Sequence, residues 1–184
     1  MHNCYIYNML QGNFIIDKIT NCIEERNTGL IFQTILQPVT VEDLKIVNKK
    51  NGWSFSWKKE FKEKNRQVQK LLIVDDPKVH GLISFEPIKS QQYIEMHLIE
   101  NAPHNFGASK QFLGVAGNLV AFVCKTSFDL GFEGFVAFTA KTKLVSHYAE
   151  TLGARILFGN NRMGIFPEEA KILVNSYYKN ESYD

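Results

Sequence analysis

Strands and helices alternate along this 184-residue chain, and the alternation predicts a single mixed α/β (α+β) domain whose helices cover a β-sheet on both faces. Three observations carry that prediction. Hydrophobic residues make up 45% of the chain and charged residues 22%, the balance of a globular protein with one sizeable core. Short apolar runs bounded by Gly, Pro, Asn and Asp read as strands. A long apolar segment from Gly114 or Val115 to Leu130, stopped by Gly131, exceeds strand length and reads as a buried helix.

The remaining elements follow in order. Residues 14–38 read as a hairpin, 19–25 and 30–37 around the turn Asn27-Thr28-Gly29. Thr40 caps a short helix with Asp43 in its first turn, directing Leu44, Val47 and Ile46 inward and ending at Asn51-Gly52. A second helix over 54–65 carries Phe55, Trp57 and Phe61 among lysines, and the glutamates interspersed over 58–64 make that stretch a solvated face. Strands at 68–74 and 79–85 form a second hairpin about Asp75-Asp76-Pro77-Lys78, 93–100 is a further strand, and 101–110 is a loop. After the long helix come a buried strand at 134–139, an amphipathic helix over 141–152 ended by Gly153, and a strand pair, 155–158 and 162–166, turned at Gly159-Asn160-Asn161. Pro167-Glu168-Glu169 opens a C-terminal helix with proline early and acids in the first turn.

Charge and cysteine usage narrow the function classes. Lys and Arg number 21 against 19 Asp and Glu, and a net charge of +2 supplies no long-range field to gather nucleic acid or a membrane surface. No apolar run reaches the roughly 20 residues that a bilayer crossing needs. Met1-His2-Asn3-Cys4-Tyr5 lacks the basic patch and apolar stretch of a secretory signal, so the cytoplasm is the expected location. Cys4, Cys22 and Cys124 have no C-x-x-C spacing, which predicts reduced structural thiols and no metal site.

The chemistry concentrates in Gln111-Phe112-Leu113-Gly114-Val115-Ala116-Gly117, between the loop and the long helix. Small residues let backbone approach a ligand, and successive unpaired N–H groups at a helix start, with the dipole behind them, suit a pyrophosphate. Lys110 adds a charge beside them. The stretch resembles the acetyl-CoA signature Q/R-x-x-G-x-G/A of the GNAT superfamily of N-acetyltransferases, with Gln111, Gly114 and Ala116 in its three constrained positions. The order of elements from about Thr34 to Phe166 resembles that family's as well.

The resemblance implies a GNAT-like core over about residues 30–166, with a hairpin extension at 1–29 and a C-terminal helix and tail at 167–184. It implies a centrally splayed sheet, in which the strand at 93–100 parts from its neighbour to admit the pantetheine arm. The implied reaction is transfer of acetyl from acetyl-CoA to a primary amine of a small molecule or peptide, by direct attack and without a metal. Amides of Val115, Ala116, Gly117 and Asn118 would hold the pyrophosphate, and a backbone N–H near Leu98 or Ile99 would polarise the acetyl carbonyl. Glu95 and Glu100 are candidate bases that a regular strand would point to opposite faces and a bulge would reconcile. His97 shares the parity of Glu95 and is a further candidate. Tyr148, ahead of Leu152-Gly153, is the candidate acid, although the family's commonest spacing puts that tyrosine at Ala149 and an Asn where Lys141 stands. Trp53, Phe55 and Trp57 lie where the family builds its acceptor pocket. A homodimer is compatible with the resemblance, and a non-catalytic acyl-CoA-binding or protein-interaction module on the same scaffold is the alternative reading.

Overall fold

In the strand β4 (Val79–Ile88) all residues from Val79 to Phe85 are buried, because both sides of the strand are covered. Ile83 and Phe85 face one apolar cluster and Leu82 faces another, as the two-residue period of a strand requires. A strand buried on both faces is central, and the rest of the sheet is arranged around it. The computed structural model describes residues 22–108 and 110–178.

Before β4 come β1 (Cys22–Glu25), β2 (Ile31–Pro38), α1 (Asp43–Ile46), α2 (Trp57–Lys62) and β3 (Gln67–Ile73). After it come β5 (Tyr93–Asn101), β6 (Phe112–Leu113), α3 (Val115–Asp129), β7 (Val136–Thr139), α4 (Val145–Leu152), β8 (Arg155–Phe158), β9 (Arg162–Ile165) and α5 (Pro167–Tyr177). The strands form one nine-stranded sheet in the order β6-β1-β2-β3-β4-β5-β7-β9-β8. Neighbours are antiparallel except β5 and β7, which run parallel across the α3 connection.

One face carries the main core: Ile83, Phe85, Ile94 and Met96 of the sheet meet Leu119 and Val123 of α3, and α5 packs behind α3 through Leu173 and Val174. Full burial of such side chains contributes about 2–3 kcal/mol each. Tyr177 of α5 fits against α3 only because residue 117 is glycine, since an added Cβ would overlap the tyrosine hydroxyl. The opposite face holds a smaller cluster in which Leu72 and Leu82 meet Val47, Trp53 and Trp57.

Several expected boundaries move. The hairpin survives as β1 and β2, with residues 14–21 outside the described part. The helix expected over 54–65 contracts to α2 because Trp57 alone anchors it, while Phe61 lies at the surface. Ile46, expected inward, is 52% exposed, because α1 makes only one turn and spends it on Leu44 and Val47. Thr40 and Asp43 do form a reciprocal cap: Thr40 Oγ1 and N donate to Asp43 Oδ2, and Asp43 N donates back to Thr40 Oγ1. The helix expected from Lys141 starts at Val145, after a 3-10 turn at Thr142–Leu144. β6 has no precursor in the sequence reading, since two residues carry no periodicity.

Candidate active site

The site begins with a bulge. Ser84 of β4 faces Leu98 of β5, yet the next partners are Phe85 and Met96, so His97 is an extra residue on β5. Ile94, Met96 and Ile99 consequently face the α3 core, whereas Leu98 joins the α2 cluster. Glu95, opposite Glu86, and Glu100, opposite Leu82, come to the same α2 face despite their opposite parity.

The same point is where the sheet opens. β5 pairs with β4 along its whole length to Asn101, but with β7 only over Ile94, Glu95 and Met96. Among the described residues no strand pairs with the β7 side of residues 97–101. Ala102 N–H, just past β5, donates to His80 O of β4 at 2.9 Å. Alternation along an antiparallel pair then turns the Leu98 amide toward β4 and the Ile99 amide into the gap.

At the far end of the gap stands the start of α3. Val115 and Leu119 lie over Gly81, the partner of Asn101, where any larger residue would collide with them. Gly114 caps the helix at φ +85°, a conformation that glycine adopts freely. The first helical bond runs from Asn118 N to Gly114 O at 3.0 Å, which leaves the amides of Val115, Ala116 and Gly117 without partners inside the helix. The Asn118 amide, expected among the phosphate donors, is spent in that bond. Its side chain is buried too, donating to Thr34 Oγ1 at 2.9 Å and to Cys22 O. Ala116 is exposed, and Gln111 ahead of the helix is exposed as well.

The approach to α3 is sewn down from both sides. Asn105 Oδ1 accepts from Phe112 N, and Asn105 Nδ2 donates to His80 O. On the other side β6 pairs with β1, and Arg26 N donates to Gln111 O. Arg26 also reaches Ala108 O through its guanidinium, and an open recess of about 740 Å³ lies among Arg26, Asn27, His104, Ala108, Lys110 and Gln111. Two cations, Arg26 and Lys110, and no carboxylate line that recess, and Gln111 leads from it toward the amides that open α3, a combination that suits the phosphates of a nucleotide-bearing cofactor.

Each carboxylate of the α2 face has a partner. Glu100 accepts from Ser54 N at 2.6 Å and from Trp57 Nε1 at 2.7 Å, so it hangs the segment before α2 over the open end of β5. Glu95 takes a two-pronged bond from Arg162 at 2.6 and 2.5 Å, with both side chains 17% exposed. Arg162 reaches Glu95 from β9, where its Cα partner on the intervening β7 is Thr139. Glu95 in turn raises the affinity of Arg162 for its proton. His97, on the bulge, lies 3.3 Å from Glu86. Tyr148 packs edge-on against Phe138, the partner of Met96 at the last rung before the gap, with ring centroids 5.4 Å apart. Burial pushes its phenol above the ordinary tyrosine range, so the hydroxyl keeps its proton at neutral pH.

Of the candidates named from sequence, the Ile99 amide faces away from β4 and the amides of Val115, Ala116 and Gly117 lack helical partners, whereas those of Leu98 and Asn118 are turned toward β4 and bonded within α3, respectively. The sequence reading did not single out Arg162, Arg26 or Asn105, whose meaning comes only through partners elsewhere in the chain. No family model matches this sequence, and no curated protein sequence matches it. Solved structures do match in shape. Mutant forms of the spermidine/spermine N-acetyltransferase of Vibrio cholerae superpose at a TM-score of 0.55 with 17% identity, over 75% of this chain and 97% of that one. The same enzyme in complex with manganese ions gives 0.54 with 19% identity, over 78% and 97%. A dodecameric structure of spermidine N-acetyltransferase from that organism gives 0.51 with 16% identity, over 74% and 95%. The mixed sheet, opened between its two central parallel strands and wrapped by helices, is the GNAT N-acetyltransferase fold.

Proposed function

We propose that this chain is an N-acetyltransferase that binds acetyl-CoA in the gap between β5 and β7 and transfers the acetyl group to a primary amine. The observation that supports the reading is a parted strand pair with three α3 amides that lack helical partners and a half-buried, protonated phenol packed on the last paired rung of β7. Acetyl-CoA supplies an activated acyl carbon on a thiolate leaving group.

The amides of Val115, Ala116 and Gly117 hold the pyrophosphate, with Lys110 and Arg26 adding charge from the recess. Ile99 N–H, turned into the gap, donates to the acyl oxygen and stabilises the negative charge that grows there during attack. His97 takes the proton that the acceptor ammonium must lose, with Glu86 orienting the imidazole, because Glu95 and Glu100 are each fully engaged. Tyr148 gives its proton to the sulfur as the carbon–sulfur bond breaks. Protons balance: the nitrogen loses two on its way to the amide, the first to His97 before attack and the second as the tetrahedral centre collapses, which offsets the one Tyr148 gives to the sulfur, so one proton is released net to solvent through His97.

Calorimetry with acetyl-CoA, with Ala116→Glu beside the unaltered protein, tests the cofactor claim. Residue 116 is exposed in the first helical turn, where a carboxylate favours the helix, so the variant stays folded. It should bind acetyl-CoA at least about tenfold more weakly, since its charge faces the pyrophosphate. Equal affinity, or no binding by the unaltered protein at high micromolar concentration, excludes this reading.

A further inference from the structure

The acceptor side of the gap has an unusual charge arrangement. Lys141, in the connection after β7, places its ammonium 5.2 Å from the ring centre of Phe55. Phe55 belongs to the segment that Glu100 fastens over the open half of β5 through Ser54 and Trp57. Lys141 therefore bridges the two walls of the gap on the α2 face, the face that carries His97. It makes no ion pair among the described residues, and its charge is met there only by the face of an aromatic ring. The carboxylates of α2, β4 and β5 on this face are each engaged: Glu60 and Glu95 in ion pairs with Arg66 and Arg162, Glu86 with the His97 imidazole, and Glu100 by two N–H groups.

We propose that the acceptor is an amine whose own molecule carries an anionic group, a carboxylate or a phosphate, which Lys141 receives while the amine meets His97. The inference rests on the acetyltransferase reading and names its substrate class. A polycationic amine needs carboxylates free to turn toward it along its length, and those of the α2 face are each held by a partner within the protein, whereas Lys141 has no carboxylate partner among the described residues. An anion at Lys141 gains a partner without stripping one from another residue. The aromatic ring beneath holds the ammonium in place without neutralising it.

The test is thiol release from acetyl-CoA with amines that differ by one anionic group: β-alanine against propylamine, phosphoethanolamine against ethanolamine, and spermidine as the polycation. The carboxylate and phosphate arms separate the two anion sources. The member of at least one pair that carries the anionic group should exceed its counterpart without one about tenfold in kcat/KM, with spermidine slowest. Lys141→Gln should level the pair and Lys141→Glu should reverse the order, with acetyl-CoA affinity unchanged in both variants. Equal rates within both pairs, preference for spermidine, an order that survives Lys141→Glu, or acetyl-CoA binding without turnover of either anionic amine overturns the proposal. Failure of the unaltered protein to bind acetyl-CoA overturns the acetyltransferase reading beneath it.

Discussion

The two halves of β5 are built from one continuous strand and do opposite things. Its first half, through Met96, has neighbours on both edges and a bidentate ion pair lying across them. Its second half, from His97, pairs only with β4 among the described residues and turns alternate amides away from it. A single extra residue at the bulge separates them, and it also rotates the side chains so that Glu95, His97 and Glu100 share a face. The lesson is that the opening is prepared by the strand itself, since the pairing partner β7 stops where the register breaks. Stability should therefore reside in the first half and chemistry in the second, and that division can be challenged by experiment.

The largest expected effect concerns the far end of the open half, which rests on His80. This residue is 1% exposed, accepts from Ala102 and Asn105 through its carbonyl, and has its Nδ1 3.2 Å from His104 Nε2. Burial first, then the neighbouring charges of His104 and Lys78, pull its imidazole down to about 4 from 6.5, against a smaller opposing pull from Asp76. A depressed folded-state value means that the unfolded chain binds the extra proton first as pH falls. The stabilisation is complete above about pH 6.5 and is lost toward pH 4, amounting to about 3 kcal/mol. Urea denaturation of the protein and of His80→Gln over that range isolates the contribution. If the unaltered protein lost no more stability than the variant, His80 would not be the acid-sensitive anchor.

Next in size is His97. His97→Gln should lower kcat roughly a hundredfold, the ordinary worth of a positioned base, while changing folding stability by no more than about 0.5 kcal/mol. The imidazole has one side-chain partner, Glu86, and sits on a bulge that makes no demand on it for packing. Steady-state kinetics beside thermal denaturation would show the split. A kcat within twofold of the unaltered protein would return the base to Glu95 or Glu100.

The sequence carried much of this division. Strands 68–74, 79–85 and 93–100 were legible because β-branched and aromatic residues alternate between clear turn formers, and α3 was legible from its length and its closing glycine. Gln111, Gly114 and Ala116 announced the start of α3 as a place where backbone is exposed to an anion. The bulge was not legible, because an extra residue in a strand leaves the hydrophobic pattern ambiguous: Ile94, Met96 and Ile99 fit neither parity. The roles of Glu95 and Glu100 were hidden for a second reason. Their partners, Arg162 and the segment before α2, lie 67 and 43–46 residues away, and nothing local to a carboxylate says whether such a partner exists.

The smallest of the three effects tests the closed half. Arg162→Ala removes the guanidinium from Glu95 and leaves a carboxylate that is 17% exposed without its two-pronged partner. Breaking a fully buried pair costs about 3–5 kcal/mol, and the partial exposure here lowers the expected loss to about 2 kcal/mol. Pairing it with Glu95→Gln in a double-mutant cycle should recover at least about 1 kcal/mol, because the second change removes the stranded charge. Turnover at a temperature where both variants are folded should stay within about threefold of the unaltered protein, since the ion pair holds the strands below the opening and does not face it. A fall in kcat as deep as that of His97→Gln, with stability intact, would mean that Glu95 works as a base after all. In that case the bulge would no longer mark the boundary between the half of β5 that holds the sheet together and the half that does the chemistry.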